Sequence, residues 1–131
     1  MAQSDFILTE EEQDAARIGQ IAAQNDAFRT SGGQDRVVKG QLVMTRGVAA
    51  LSPDVIGMLV QRLVTFDDFT EENDPYGDHC FGVIRFCEAG TEHRFFWKID
   101  LFDVAYQFGS EDAANAEVTR RVLTLMLPEE Y

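Results

Sequence analysis

The sequence predicts an α+β domain: a small, mostly antiparallel sheet of about three strands with three helices, in the order α-β-α-β-β-α. Three observations predict it. Residues 10–28 and 53–65 space their apolar side chains at helical intervals behind helix-capping residues. Cys80–Cys87 and Arg94–Asp100 are β-rich runs separated by Glu88-Ala89-Gly90-Thr91-Glu92, a hairpin spacing. Nowhere do strands and helices alternate in the βαβαβ rhythm of a parallel sheet.

Taken in order, Thr9-Glu10-Glu11-Glu12 fits a capping box, in which the Thr9 hydroxyl and the Glu12 side chain satisfy free amides at a helix start. Ile18, Ile21, Ala22 and Phe28 continue that helix to about Phe28, and Ser31-Gly32-Gly33 ends it. Asn25 and Asp26 fall near its end, in capping or solvated positions. Val37–Thr45 reads as a strand, with Gly40 as a bulge. Ser52-Pro53-Asp54 is an N-cap followed by Pro at the first helical position, and Val55, Ile56, Leu59, Val60, Leu63 and Val64 form the apolar stripe of a second helix, Pro53–Thr65.

Phe66–His79 follows, with six acidic residues and no Lys or Arg. Pro75 and Gly77 shape a turn around Tyr76, and the proline keeps Asp74 out of helical conformation. Gly82 predicts a close backbone approach or a bulge just after the turn. In the second hairpin strand Phe95, Trp97 and Ile99 share one face, while Arg94, Phe96, Lys98 and Asp100 share the other. Tyr106–Gly109 reads as a helical turn. Asn115 then caps a third helix carrying Val118, Val122, Leu125 and Met126, with an edge strand over Val122–Leu127 as the alternative.

A chain of 131 residues suits one domain over its whole length, with 1–8 expected to be flexible. No apolar run approaches the roughly 18 residues that span a bilayer, and residues 1–6 show no secretory pattern. Cys80 and Cys87 lie in one strand run, too far apart to bridge, and read as reduced and mostly buried in a cytoplasmic protein. The 23 acidic and 11 basic residues leave a net charge of −12. That excludes direct nucleic-acid binding, which needs cations against phosphates, and disfavours anionic membranes. It admits a protein partner with a basic surface, or a divalent cation. No cofactor is implied, and nothing in the sequence bears on oligomeric state.

The segments Asn73-Asp-Pro-Tyr-Gly-Asp-His79, Phe81-Gly82, Phe96-Trp-Lys-Ile-Asp100 with Asp103, and Arg121-Val-Leu-Thr-Leu-Met-Leu127 with Glu130-Tyr131 belong together. With Asn25–Arg29 and Thr45–Val48, they make a pattern that resembles a bacterial family of small proteins described as a domain of unknown function. The resemblance covers residues 17–131. It implies an acidic residue where this chain has Cys80, and two tyrosines where it has Leu101-Phe102. It implies no activity.

Four constellations carry possible chemistry. Asp74, Asp78, His79, Lys98, Asp100 and Asp103 contain the residue types of a metal or acid–base site, with Asp74, Asp78 and His79 as metal ligands and Asp78, His79, Lys98 and Asp100 as catalytic candidates. Their spacing matches neither a calcium loop nor a zinc set. The bland reading is that the two loop aspartates order a turn and Lys98 pairs with Asp100. A cysteine nucleophile beside His79 or His93 is disfavoured, because neighbouring strand residues face opposite ways and the loop is acidic. Most of the aromatic residues between Phe81 and Phe108 read as core, with Tyr76 exposed. The acidic surface itself, Asp67, Asp68, Glu71, Glu72, Asp74 and Asp78 around Tyr76, suits a binding face. Glu10–Asp14 and Glu111–Glu117 would extend that surface into an array resembling nucleic-acid phosphates. The expected function is thus a non-enzymatic binding module acting on a basic partner, as a nucleic-acid mimic of the anti-CRISPR or anti-restriction type. The alternative is a metal-dependent hydrolase built on Asp74, Asp78, His79, Lys98 and Asp100.

Overall fold

A computed structural model describes residues 7–131, so residues 1–6 of the segment expected to be flexible lie outside the described residues. The chain runs α1 (Glu10–Thr30), β1 (Gly40–Met44), α2 (Arg46–Ala49), α3 (Pro53–Val64), β2 (Phe81–Glu88), β3 (Thr91–Phe102) and β4 (Arg120–Met126), ending in a 3-10 turn, Pro128–Glu130. The class is α+β, with one four-stranded sheet ordered β1-β4-β3-β2. The β2–β3 and β3–β4 pairs are antiparallel, and β1 joins β4 in parallel. No helix among the described residues is long and apolar enough to cross a membrane.

The expected helices start where their capping residues place them. Thr9 accepts from the Glu12 amide while the Glu12 carboxylate reaches back to Thr9, closing the capping box of α1. The Ser52 side chain accepts from Val55 and Pro53 opens α3. The hairpin turn is tighter than expected. Glu88 pairs directly with Thr91, leaving Ala89 (φ 51°) and Gly90 (φ 80°) as a two-residue turn in the left-handed conformation that suits the twist of paired strands.

Several expectations need correction. The sheet has four strands rather than three, and the order is α-β-α-α-β-β-β. Residues 120–126 form a strand, and it sits centrally rather than at an edge. Buried Arg121, Leu123 and Leu125 alternate with half-buried Val122 and Thr124 before buried Met126, so its apolar residues run nearly continuously and match helical spacing by coincidence. Arg121, Leu123 and Leu125 take the face registered with Leu101, Ile99 and Trp97; Val122, Thr124 and Met126 take the other. The third helix is instead the short α2, which the sequence did not signal. Tyr106–Gly109 is no helical turn: Tyr106 has φ 58° and Gly109 bridges to Phe102. Gly40 is not a bulge but pairs in register with Arg121, so close that a Cβ would collide with the Arg121 carbonyl oxygen. Cys87 is exposed, and Cys80 is half-buried.

The helices cover one face of the sheet. Phe28 of α1, Val48 of α2, and Leu59 and Leu63 of α3 pack on Ile84, Phe95, Trp97, Ile99, Leu123 and Leu125. Trp97 is fully buried at the centre, and Gly82 opposite it has no room for a Cβ, which would press on the indole nitrogen and lie 2.7 Å from Phe66 Cζ. On the opposite face Phe81 and Phe96 make edge-on contacts with each other and with Tyr131. Trp97 thereby fixes which way its neighbours point. Lys98 and Asp100 project away from the helices.

Candidate functional site

Between α3 and β2 the chain forms a loop that organises itself before it touches anything else. The Thr70 amide donates to Asn73 Oδ1 at 2.9 Å and the Asn73 amide donates to Thr70 Oγ1 at 3.2 Å. Asn73 Nδ2 donates to the Asp68 carbonyl, and the Asp74 amide to the Thr70 carbonyl at 2.8 Å. These short-range bonds satisfy backbone groups that no helix or strand would satisfy. Pro75, Tyr76 and Gly77 then turn the chain, with Gly77 at φ 72°. Tyr76 is 78% exposed, as expected. Asp67, Asp68, Glu71 and Glu72 are exposed as well.

His79 straps this loop to α1. Its Nδ1 lies 2.9 and 3.0 Å from the two oxygens of Asp26, and its Nε2 lies 3.5 Å from Asp74 Oδ2. Its ring stacks on Phe69, centroids 3.9 Å apart and nearly parallel. The backbone of His79 takes φ 56°, a conformation that costs a non-glycine residue on the order of 1 kcal/mol or more and persists only under tight surrounding contacts. Its amide donates to Asp74 Oδ1 at 3.1 Å. Asp74 therefore turns inward, its side chain only 6% exposed, and leaves the acidic face to its neighbours.

Beneath the strap lies a layer of buried polar groups. Arg29, 2% exposed, donates from Nη1 to the Leu63 carbonyl and from Nη2 to Asp26 Oδ1, each at 3.0 Å. Its guanidinium lies within 5.3–5.9 Å of the Phe66, Phe69 and Trp97 ring centres. Asn25 donates to the Asp78 carbonyl at 2.8 Å and accepts from Arg121 Nε at 2.7 Å. Arg121 also donates to Gln24, whose own amide reaches the Ala114 carbonyl. Burial lowers the Arg121 guanidinium to about 10, still well on the protonated side of neutrality.

The geometry divides the residues singled out in the sequence. Asp74, Asp78 and His79 come together, joined by Asp26, Asn25 and Cys80. Lys98 and Asp100 do not join them, because they stand on the far face of the sheet, paired to each other at 3.1 Å. Asp103 is separate too and orders its own turn by accepting from Ala105 and Gln107. Among the described residues no three His, Cys, Asp or Glu side chains are placed to hold a metal ion. Both His79 nitrogens face carboxylates, so neither is directed at a position for a substrate. Burial, with Asp78 and Asp74 nearby, pushes the Cys80 thiol up to about 12, which removes it as a nucleophile. What this arrangement does is hold a loop in one shape. Asp26, the residue that completes the strap, carried no spacing signal in the sequence, being 53 residues from His79.

Asp74 makes the strap sensitive to pH in a defined direction. Burial raises its carboxyl above the ordinary value of 3.8, outweighing the His79 amide and ring that lower it. The folded state thus holds the Asp74 proton more tightly than the unfolded state. Stability from this group is present at low pH and is lost as pH rises from the ordinary carboxylate value through the raised one. Asp74→Asn cannot ionise, yet its amide oxygen can still accept from the His79 amide. The stability of the variant relative to wild type should therefore rise with pH across that window. Urea unfolding midpoints of both proteins through the acid range check this, and a difference that stays constant with pH contradicts it.

Residues 44–130 match the model of a family described as "Protein of unknown function (DUF3768)". The match takes in α2, α3, the acidic loop, β2, β3 and β4, with its first residue at the end of β1, and it leaves α1 outside. No curated protein and no solved structure matches the chain.

Proposed function

We propose, for a chain that belongs to this DUF3768 family of unknown function, that it is a binding module whose acidic loop docks on a basic surface of a partner protein. One observation carries the reading. The loop is held by internal hydrogen bonds and by the His79 strap, while Asp67, Asp68, Glu71, Glu72 and Tyr76 remain exposed on it. A rigid loop loses little conformational freedom on binding, and an exposed tyrosine among carboxylates is a suitable anchor for a basic partner. The inward Asp74 belongs to the support of this face, and half-buried Asp78 lies beside it. With a net charge of −12, the molecule would approach a basic groove by long-range attraction and occupy it as a nucleic-acid mimic, inhibiting a bacterial defence or DNA-processing complex. Catalysis by Asp78, His79, Lys98 and Asp100 draws less support, because the last two face away from the first two.

The test is capture of partners from bacterial lysate at low and high salt, with three baits. These are the wild type, Tyr76→Ala, and a loop variant with Asp67 and Asp68 changed to Asn and Glu71 and Glu72 to Gln. A basic partner should be retained by the wild type at low salt, released at high salt, held about tenfold more weakly by either variant, and displaced by duplex DNA. Recovery of no partner, or equal retention by all three baits, overturns the proposal. Retention that duplex DNA does not disturb overturns the mimic.

A further inference from the structure

The outer edge of β2 is open, and its backbone polarity is fixed by two hydrogen bonds. The Ile99 amide donates to the Cys80 carbonyl, so even-numbered residues at this end turn their backbone groups toward β3. Arg62 Nη1 donates to the Arg85 carbonyl from the other side, so odd-numbered residues turn theirs outward. Phe81, Val83, Arg85 and Cys87 consequently present amides and carbonyls away from the sheet. Among the described residues only the Arg62 side chain bonds to any of them. An open row of this kind templates the addition of another strand unless something covers it.

Three shallow cavities follow this edge. One of about 270 Å³ lies between Phe81–Arg85 and the loop residues Asp68, Glu72 and Asn73. A second, about 230 Å³, lies between Val83–Arg85 and Arg62, Asp67 and Asp68. A third, about 250 Å³, lies between Phe86–Glu88 and Asp54, Val55 and Met58 of α3. The first two share Asp68, Val83 and Arg85, and the third follows them along β2 at Phe86–Glu88, so that the strand edge forms one wall of the whole row, a segmented groove. The facing wall carries Asp67, Asp68, Glu72 and Asp54 against the single cation Arg62, and Arg85 lies on the strand side.

We infer that this groove receives an extended, basic segment of the partner, which adds to the sheet as a fifth strand beside β2. This rests on the acidic-loop reading and specifies how the partner binds. Backbone pairing to Val83, Arg85 and Cys87 supplies affinity independent of sequence. Alternate side chains of the segment fall toward the acidic wall, which selects Lys or Arg at those positions. The incoming amide takes the place of the Arg62 guanidinium on the Arg85 carbonyl.

The probe is a short synthetic peptide of alternating lysine and valine, compared with its fully N-methylated twin, which keeps the charge but cannot donate backbone hydrogen bonds. The unmodified peptide should bind the full chain and slow amide exchange at Val83, Arg85 and Cys87. The twin should bind at least about tenfold more weakly, because it loses every backbone donor at once. Val83→Pro removes one outward amide at an edge position where proline is tolerated, and should weaken the unmodified peptide by a smaller factor, about threefold to tenfold. Equal binding of the two peptides, no binding of either, or unchanged exchange at those amides overturns strand addition. If Val83→Pro fails to fold, the peptide pair still decides. Binding that needs the backbone amides but survives neutralisation of Asp67, Asp68, Glu71 and Glu72 instead overturns the acidic-loop reading while leaving the strand edge as the site.

Discussion

Arg29→Ala should lower the unfolding free energy by about 3–5 kcal/mol, the cost of removing one partner from a buried ionic contact. For a domain whose whole stability is on the order of 5–15 kcal/mol, that approaches loss of the fold at body temperature. Three losses combine. The Leu63 carbonyl, near the end of α3, loses a buried donor. Asp26 loses the cation that shares it with His79. The Phe66, Phe69 and Trp97 rings, which surround the guanidinium, are left around a void. Lysine at this position keeps the charge without the planar fork, so Arg29→Lys should fall between the two. Urea denaturation of the three proteins measures this, and an Arg29→Ala protein within about 1 kcal/mol of wild type would show that the guanidinium is not central. Because Arg29 and His79 both hold Asp26, the Arg29→Ala and His79→Ala effects should be non-additive.

Gly40→Ala should cost about 3 kcal/mol or more, the upper range for forcing atoms into a filled space. The added carbon would strike the Arg121 carbonyl oxygen and come within 2.7–2.8 Å of the Arg121 carbonyl carbon and nitrogen. These are backbone atoms of a central strand and cannot swing aside. The strand that yields is β1, which among the described residues pairs only with β4. Amide exchange in residues 40–44 should accelerate, while the β2–β3 hairpin stays protected. The same substitution at Gly57, on the exposed side of α3 with nothing within 4 Å, should stabilise by about 0.5–1 kcal/mol, because alanine is the better helix former. Two Gly→Ala changes of opposite sign separate crowding from backbone propensity. If both shift stability the same way, the packing of β1 on β4 is looser than described.

Features that depend on neighbouring residues were legible in the sequence. Thr9 with Glu12, Ser52 with Pro53, and the alternation of Phe95, Trp97 and Ile99 placed two helices and a hairpin strand, and of the close approach or bulge that Gly82 signalled, the structure shows the close approach, by Trp97. The same patterns misled where two periods coincide. Val118, Val122, Leu125 and Met126 satisfy a helix, but Arg121 pointing inward among Leu123 and Leu125 is visible only once Asn25 and Gln24 are opposite it. The candidate site was half legible for the same reason. Asp74 and His79 meet because a turn joins them. Asp26 arrives from α1, and Lys98 is carried away by the parity of a strand whose face is set by Trp97. Pairings over such distances come from tertiary packing and leave no periodic trace.

The sheet order has a further consequence in time. β4 is the last strand along the chain, yet it lies between β1 and β3. During synthesis β1 emerges about eighty residues ahead of its strand partner. Asn25 likewise waits 96 residues for Arg121. Only the β2–β3 hairpin can close from local contacts, so it is the first piece of sheet a nascent chain can form. β1 and Asn25 stay unpaired with their partners until residues 120–126 slot in between.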